Sequence, residues 1–313
     1  MTEVWFDAGY GTKIGLGHLN RCVSLAKVFQ SKEVVVKFLA RSSEAEAFLK
    51  TKKIDTAYEL PPTGHSKMIL VVDRYDFDSL LYERYRELGA YLIVIDDLAD
   101  REIICDAYLN HNLFAHKLDL SSISADTFFL GPDYFLVSEE LKNTVNLRNK
   151  SSSIKNTILI CFGGTDTGQY CLPVITEISN LHIPNSIVAM TQTPLKLRGY
   201  SFKNIQFRNE VSRNIESLIL DAGVVVCGAG QTSVEAAIAG TPFIATILAK
   251  NQLKNANALK ELGCLVFDKF DPKQIALHCI NTLRNNNNLT FKLSSASGLE
   301  NVVNVAKQGS KQK

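Results

Sequence analysis

Met68-Ile69-Leu70-Val71-Val72, then Ser79 to Leu88, then Tyr91-Leu92-Ile93-Val94-Ile95 make up an apolar run, a stretch with apolar residues at helical spacing, and a second apolar run. Runs this short, β-branched and bounded by charged or turn residues read as strands. A strand that is apolar throughout has no solvent face. Two of them joined through a helix therefore predict a parallel sheet with helices on both faces. Working outward, Val4-Trp5-Phe6 and Val34-Val35-Val36 add two strands, with a helical pattern from Leu19 to Phe29 between them. The second half repeats the plan. Strands are expected at Thr157–Cys161, Ser186–Ala189, Val224–Cys227, Pro242–Ile247 and Leu265–Phe267, and helices near 169–180, 211–220, 232–239 and 252–262. Two α/β halves of this kind are expected to face a central cleft near the carboxyl ends of their strands.

The rest of the chain bounds the reading. Its 313 residues suit about two domains, and 46% hydrophobic with 21% charged residues excludes disorder and coiled coil. A formal charge of +2 gives no field to attract nucleic acid. No apolar run reaches the ~18 residues of a membrane span, so no stable membrane insertion is expected. Met1 to Asp7 reads as a strand carrying acids rather than a basic-then-apolar leader, so a cytoplasmic monomer is expected. The stretch Glu139 to Asn156, with Asn-Leu-Arg-Asn-Lys-Ser-Ser-Ser at its centre, is the least regular. It divides the chain into a first domain 1–140, a linker 141–156 and a second domain 157–313 that includes a last helix around 289–306, with Lys307–Lys313 as a frayed tail. Seven scattered cysteines without a CxxC read as buried structural thiols, and the six histidines show no metal-ligand spacing.

Chemistry concentrates in glycine loops. The first strand runs into Gly9-Tyr10-Gly11-Thr12-Lys13-Ile14-Gly15-Leu16-Gly17-His18 and then a helix. Gly15 and Gly17 let backbone amides approach an anion at a helix N-terminus. The loop is not GxGxxG, the second strand ends in Ala40-Arg41 rather than an acid, and no GKS or GKT follows, which disfavours a dinucleotide and a P-loop. His18, where loop becomes helix, is a candidate general base. A neutral imidazole is favoured near a helix N-terminus, and the competing reading is a capping or solvent-exposed histidine. Arg21 shares its face and is expected to touch an anion or to be solvated. In the second half, Gly163-Gly164-Thr165-Asp166, Gly228-Ala229-Gly230-Gln231-Thr232-Ser233-Val234-Glu235 and Ala249-Lys250-Asn251-Gln252 all follow strands. The amides of Gln231, Thr232 and Ser233 suit a diphosphate and Glu235 a ribose; alternatively, Thr232 and Glu235 form a capping box.

These features resemble glycosyltransferase-B-type enzymes, two Rossmann-like domains, over nearly the whole chain. Gly230 to Pro242 followed by Asn251-Gln252 and Asn255-Ala256 is similar to the UDP-binding half of the peptidoglycan N-acetylglucosaminyltransferase. The first half resembles more closely the UDP-sugar hydrolases of pseudaminic acid biosynthesis. It shares with them Gly15-Leu16-Gly17-His18-Leu19-Asn20-Arg21, Asp73-Arg74-Tyr75-Asp76, Ile95-Asp96-Asp97-Leu98-Ala99 and Leu130-Gly131-Pro132-Asp133-Tyr134. Two departures are Gln231-Thr232-Ser233-Val234-Glu235, where the family often has Gly-Ser-Thr-x-Trp-Glu, and Arg74, where a histidine or similar residue is expected. The resemblance implies hydrolysis of UDP-2,4-diacetamido-2,4,6-trideoxy-β-L-altropyranose to UDP and free sugar, with no metal and no cofactor. It also implies that His18 activates water, Tyr75 orients water or base, and Asn251 lies near diphosphate and sugar, with Gly163, Gly164, Gly230 and Gln252 among the UDP-binding residues.

UDP is already a good leaving group, so one base that delivers water from the opposite face gives inversion, and helix amides meet the departing charge. The doublet Asp96-Asp97 is read as a strand-end structural feature. A UDP-sugar-dependent glycosyltransferase of the same fold is the alternative, and a non-enzymatic sugar-nucleotide binding module is a third.

Overall fold

The computed structural model describes residues 2–10, 17–62, 67–138, 141, 156–163, 166–182, 185–191, 194–199, 202, 205–211, 215–285 and 298–313. The chain forms two compact units, Met1–Glu139 with Ala296–Lys313, and Glu140–Ser295.

The first unit carries β1 (Glu3–Ala8), α1 (Gly17–Ser31), β2 (Val35–Leu39), α2 (Ser43–Thr51), β3 (Asp55–Ala57), β4 (Met68–Asp73), α3 (Ser79–Arg86), β5 (Tyr91–Ile95), β6 (Ile103–Asn110) and β7 (Ile123–Leu130). The seven strands form one parallel sheet in the order β3-β2-β1-β4-β5-β6-β7. Alternation of side chains along each strand divides the apolar residues between two cores. Val4, Phe6, Ile69 and Val71 join α1 on one face, while Trp5, Leu70 and Val72 join Phe77 and Tyr85 on the other. This double burial is why the central strands read as unbroken apolar runs. β3, β6 and β7 lie outside the strands expected from sequence.

The last helix does not belong to the second domain. It spans Leu299–Gly309 and packs its Leu299, Val302, Val303 and Ala306 into the core beneath α1, within the first unit. Its buried stripe recurs at three- and four-residue spacing, and each fully buried Val or Leu contributes roughly 1.5–3 kcal/mol. Lys307–Lys313 is likewise not a frayed tail. Lys307 lies in the helix, Ser310 is buried, and Lys313 Nζ bonds Asp106 at 2.7 Å. Apart from Leu141 and Asn156, the expected linker lies outside the described residues, as do Gly15 and Gly164.

The second unit carries β8 (Thr157–Cys161), α4 (Cys171–Asn180), β9 (Asn185–Thr191), β10 (Ile205–Val211), α5 (Ile215–Asp221), β11 (Val224–Gly228), α6 (Gln231–Ala239), β12 (Phe243–Thr246), α7 (Leu253–Glu261), β13 (Val266–Phe267) and α8 (Pro272–Asn285). Its six strands are also parallel, in the order β10-β9-β8-β11-β12-β13. The helix of the first unit that begins at Leu299 is α9. All seven cysteines are free, and only Cys264 is partly exposed. Among the described residues no helix is long and apolar enough to cross a membrane.

Each sheet reverses its winding once. From β1 the chain steps outward to β2 and β3, then returns to β4 on the other side of β1; β8 and β11 repeat the move in the second unit. Such switch points leave a crevice at the carboxyl ends of the two strands. The described candidate residues follow β1, β4, β8 and β11, apart from Asn251 and Gln252, which follow β12.

Candidate functional site

In the first unit, the β1–β4 switch point is flanked by two buried carboxylates. Asp7 follows Trp5 by two residues and so faces the α3 side; Asp73 follows Val71 by two and faces α1. Asp73 is fully buried, and Oδ1 lies 2.6 Å from His18 Nδ1. A carboxylate can only accept, so Nδ1 carries the proton and Nε2 is left as the basic nitrogen. Nε2 makes no hydrogen bond among the described residues. His18 is 6% exposed, which sets aside the solvent-exposed and capping readings in favour of a packed, oriented imidazole.

Arg21 stands one turn further along α1 and is 7% exposed. The expectation that it touches an anionic ligand or solvent is corrected by its geometry, because its guanidinium faces inward. Nε donates to Asp73 Oδ2 at 2.6 Å and Nη2 to Oδ1 at 2.5 Å. Nη1 donates to both oxygens of Asp97 at 2.8 and 2.9 Å and lies 3.3 Å from His111 Nε2. Burial would raise the Asp73 carboxyl, but the charge of Arg21 and bonds from Arg21 and His18 hold it below its ordinary value. Asp97 is also held well below the carboxylate range, against burial, by Arg21 and then His111. Burial, followed by the Arg21 charge, pushes His111 down to about 4, so it is neutral at neutral pH.

Tyr75 lies just beyond β4 with its ring edge-on to His18, centroids 4.7 Å apart. Its hydroxyl donates to Asp97 Oδ2 at 3.3 Å, and burial with the Asp97 charge raises it to about 12. It therefore stays protonated and available as a donor. The structure thus brings together His18, Arg21 and Tyr75 and adds Asp73, Asp97 and His111, which sequence reasoning did not assign to the site. The available signal was a carboxylate ending an apolar strand. Of the Asp96-Asp97 pair, Asp96 does act structurally, accepting from the amides of Leu98 and Ala99 and from the Tyr108 hydroxyl. Asp97 instead joins the cluster. Arg74 ties Asp7 to Asp76, donating at 3.0 Å to Asp7 Oδ2 and at 2.8 and 2.5 Å to Asp76.

In the second unit, Gly163 lies two residues beyond β8, and Gly230 is the N-cap of α6 beyond β11. That N-cap has no side chain to satisfy the helix amides. The capping-box alternative fails because Thr232 and Glu235 both lie inside the helix. Ser233 is wholly buried, its hydroxyl donating back to Gly230 O at 2.6 Å, so the expected contact of its amide with a ligand is corrected: the partly exposed Gln231 and Thr232 are left to make it. Gln231 Nε2 donates to Glu235 Oε1 at 2.9 Å. Burial and then the charge of Glu216 raise the Glu235 carboxyl to about 7, against the bond from Gln231. Gln252 fixes its Oε1 on the Leu248 amide at 2.9 Å and lays its amide nitrogen over Gly228 and Gly230. A Cβ on Gly228 would come within 3.1 Å of that nitrogen, so a side chain there would push Gln252 aside. Asn255 ties α7 to the same turn, donating to Ala229 O at 2.9 Å. Asn251 is exposed in a short 3₁₀ turn, Lys250–Gln252. Among the described residues no group of three or more His, Cys, Asp or Glu is placed to hold a metal ion.

No family model matches the chain. No curated protein matches it either. Solved structures do. The glycotransferase of kitacinnamycin aligns with a TM-score of 0.61 at 13% identity, over 99% of this chain and 96% of its own. A UDP-glucosyltransferase from Polygonum tinctorium that glucosylates indoxyl aligns at 0.58 and 12%, over 98% of each chain. UGT89C1 of Arabidopsis thaliana aligns at 0.61 and 10%, over 97% and 94%. At these identities the likeness is one of fold, and it matches the two parallel sheets and their switch points: the chain carries the paired Rossmann-like domains of the glycosyltransferase-B fold.

Proposed function

We propose that the protein is an enzyme acting on a UDP-sugar, in which His18 takes the proton of the nucleophile attacking the anomeric carbon. The observation that carries this reading is the 2.6 Å bond between His18 Nδ1 and the buried, ionised Asp73. It fixes the tautomer with Nε2 basic and stabilises the imidazolium formed when Nε2 accepts a proton. As the nucleophile's O–H gives its proton to Nε2, its oxygen bonds to the anomeric carbon. The bond from that carbon to UDP breaks, the electron pair leaves on the diphosphate, and configuration inverts. Tyr75 orients the nucleophile or the base. The uncapped amides of Gln231 and Thr232 take up diphosphate charge, with the glycine turns at Gly163 and Gly230 leaving the backbone open. Glu235 receives the ribose hydroxyls, and Asn251 and Gln252 lie near the diphosphate and sugar.

Two nucleophiles fit. The solved neighbours are sugar transferases, which favours the hydroxyl of an acceptor. The resemblance of the segments around His18, Asp73-Tyr75 and Asp97 to UDP-sugar hydrolases is what favours water and hence release of a diacetamido-trideoxy sugar in pseudaminic acid-type biosynthesis. Incubating the protein with such a UDP-sugar and EDTA in ¹⁸O-water separates them. Label in the free sugar supports hydrolysis at the anomeric carbon. UDP release only after an acceptor is added supports transfer. Label in UDP would place the attack at phosphorus, and inhibition by EDTA would reveal a metal requirement; either overturns the mechanism. His18→Ala is expected to bind UDP but lose roughly 10²- to 10⁴-fold in turnover. Activity within a few-fold of the unmodified protein would return His18 to a structural role.

A further inference from the structure

We propose that Arg21 is a positioning residue whose single buried guanidinium locks His18 and Tyr75 into one geometry through two separate carboxylates. The inference rests on reading His18 as the base. One edge of the guanidinium, Nε and Nη2, grips both oxygens of Asp73, and Asp73 Oδ1 holds His18 Nδ1. Nη1 grips both oxygens of Asp97, and Asp97 Oδ2 holds the Tyr75 hydroxyl. The two groups at the ends of these chains meet ring to ring at 4.7 Å. A planar fork that donates in fixed directions sets two carboxylates at once; an ammonium of the same charge is a point and sets neither direction.

The charges point the same way. Asp73 and Asp97 carry two negative charges, Arg21 one positive charge, and the neutral His111 none. The cluster therefore holds one uncompensated negative charge while His18 is neutral, and reaches balance when His18 accepts a proton. Arg21 thus offsets one of the two carboxylate charges beside His18 while holding Asp73 in place on Nδ1.

The test needs two readouts. In ¹⁵N-labelled protein at neutral pH, without substrate, the His18 ring is expected to show a protonated Nδ1 and a bare Nε2. Its signal is assigned by its loss in His18→Gln. Arg21→Gln, which removes both charge and fork, is expected to shift and broaden that signal as Asp73 and the ring lose their fixed orientation. Arg21→Lys, which retains the charge without the fork, is expected to keep Nε2 bare but broaden the signal. Should Arg21→Gln not fold, Arg21→Lys decides: an unbroadened, unchanged signature overturns the Asp73 arm, as does an unchanged signature in a folded Arg21→Gln. The Asp97 arm is tested by turnover of the UDP-sugar. Asp97→Asn and Tyr75→Phe are each expected to lower kcat by roughly tenfold with little change in KM, and together to do no worse than either alone, because both break the same chain. Losses that multiply overturn that arm. If the ring signatures behave as expected but no UDP-sugar turns over, the functional reading fails and the Asp73 arm of the positioning role stands without it.

Discussion

His111 is 4% exposed, and its depressed protonation makes it a stability sensor. The unfolded chain protonates it near 6.5, whereas the folded protein does so only at about 4. Between those values the unfolded state binds more protons, so this group's contribution is complete above pH 6.5 and is lost as the pH falls toward 4. The difference corresponds to about 3 kcal/mol. Urea unfolding across that window is expected to show a steeper loss for the unmodified protein than for His111→Gln; parallel curves would mean His111 titrates normally. At this scale, His18 became a candidate through a local pattern, a glycine loop entering a helix, and Tyr75 through the family resemblance of Asp73-Arg74-Tyr75-Asp76. The inward role of Arg21 was not. Its partners Asp73 and Asp97 lie 52 and 76 residues away in sequence, and only strand order brings them to the end of α1.

α6 shows the opposite titration. Glu235 is buried within the helix, and its carboxyl rises from 4.5 to about 7. Here the folded state binds the extra proton, so stability is complete below pH 4.5 and is lost as the pH rises through 7. Glu235→Gln keeps the shape and the Gln231 partner and removes the buried charge. It is expected to stabilise the protein at pH 8 by roughly 2–3 kcal/mol, with no gain at pH 4.5. In calorimetry at pH 8 it is also expected to weaken UDP binding, losing a charged hydrogen bond of about 1.5–3 kcal/mol. Higher stability with unchanged UDP affinity would remove Glu235 from the nucleotide site. Among the elements, central strands were legible because burial on both faces leaves no polar alternation. β7 escaped because its exposure alternates along an edge, and β10 because Gln206, Arg208 and Glu210 interrupt its apolar residues. Both are strands by backbone pairing, which composition does not encode.

For the molecule as a whole, the decisive contact is α9 on the first unit. Gly309 lies against Tyr91 so closely that a Cβ would come within 2.1 Å of a ring carbon. In an ordinary helix, Gly→Ala stabilises by about 1 kcal/mol. Gly309→Ala is instead expected to destabilise the first unit by roughly 1–3 kcal/mol through overpacking. Trp5, the single tryptophan and buried in that unit, reports its unfolding by fluorescence. A midpoint shifted to higher urea would refute the contact. The repeating strand–helix pattern made two domains legible, but a helix at the end of the second domain's sequence gives no sign of which core it completes, since the same apolar stripe fits either. Vectorial synthesis gives this contact a further meaning. The second unit, Glu140–Ser295, emerges from the ribosome as one continuous stretch, whereas Leu299, Val302 and Val303 are made only after it, separated from β7 by more than the length of that unit. The earlier-made unit therefore waits, with the groove under α1 open, while the later-made one can close around itself first.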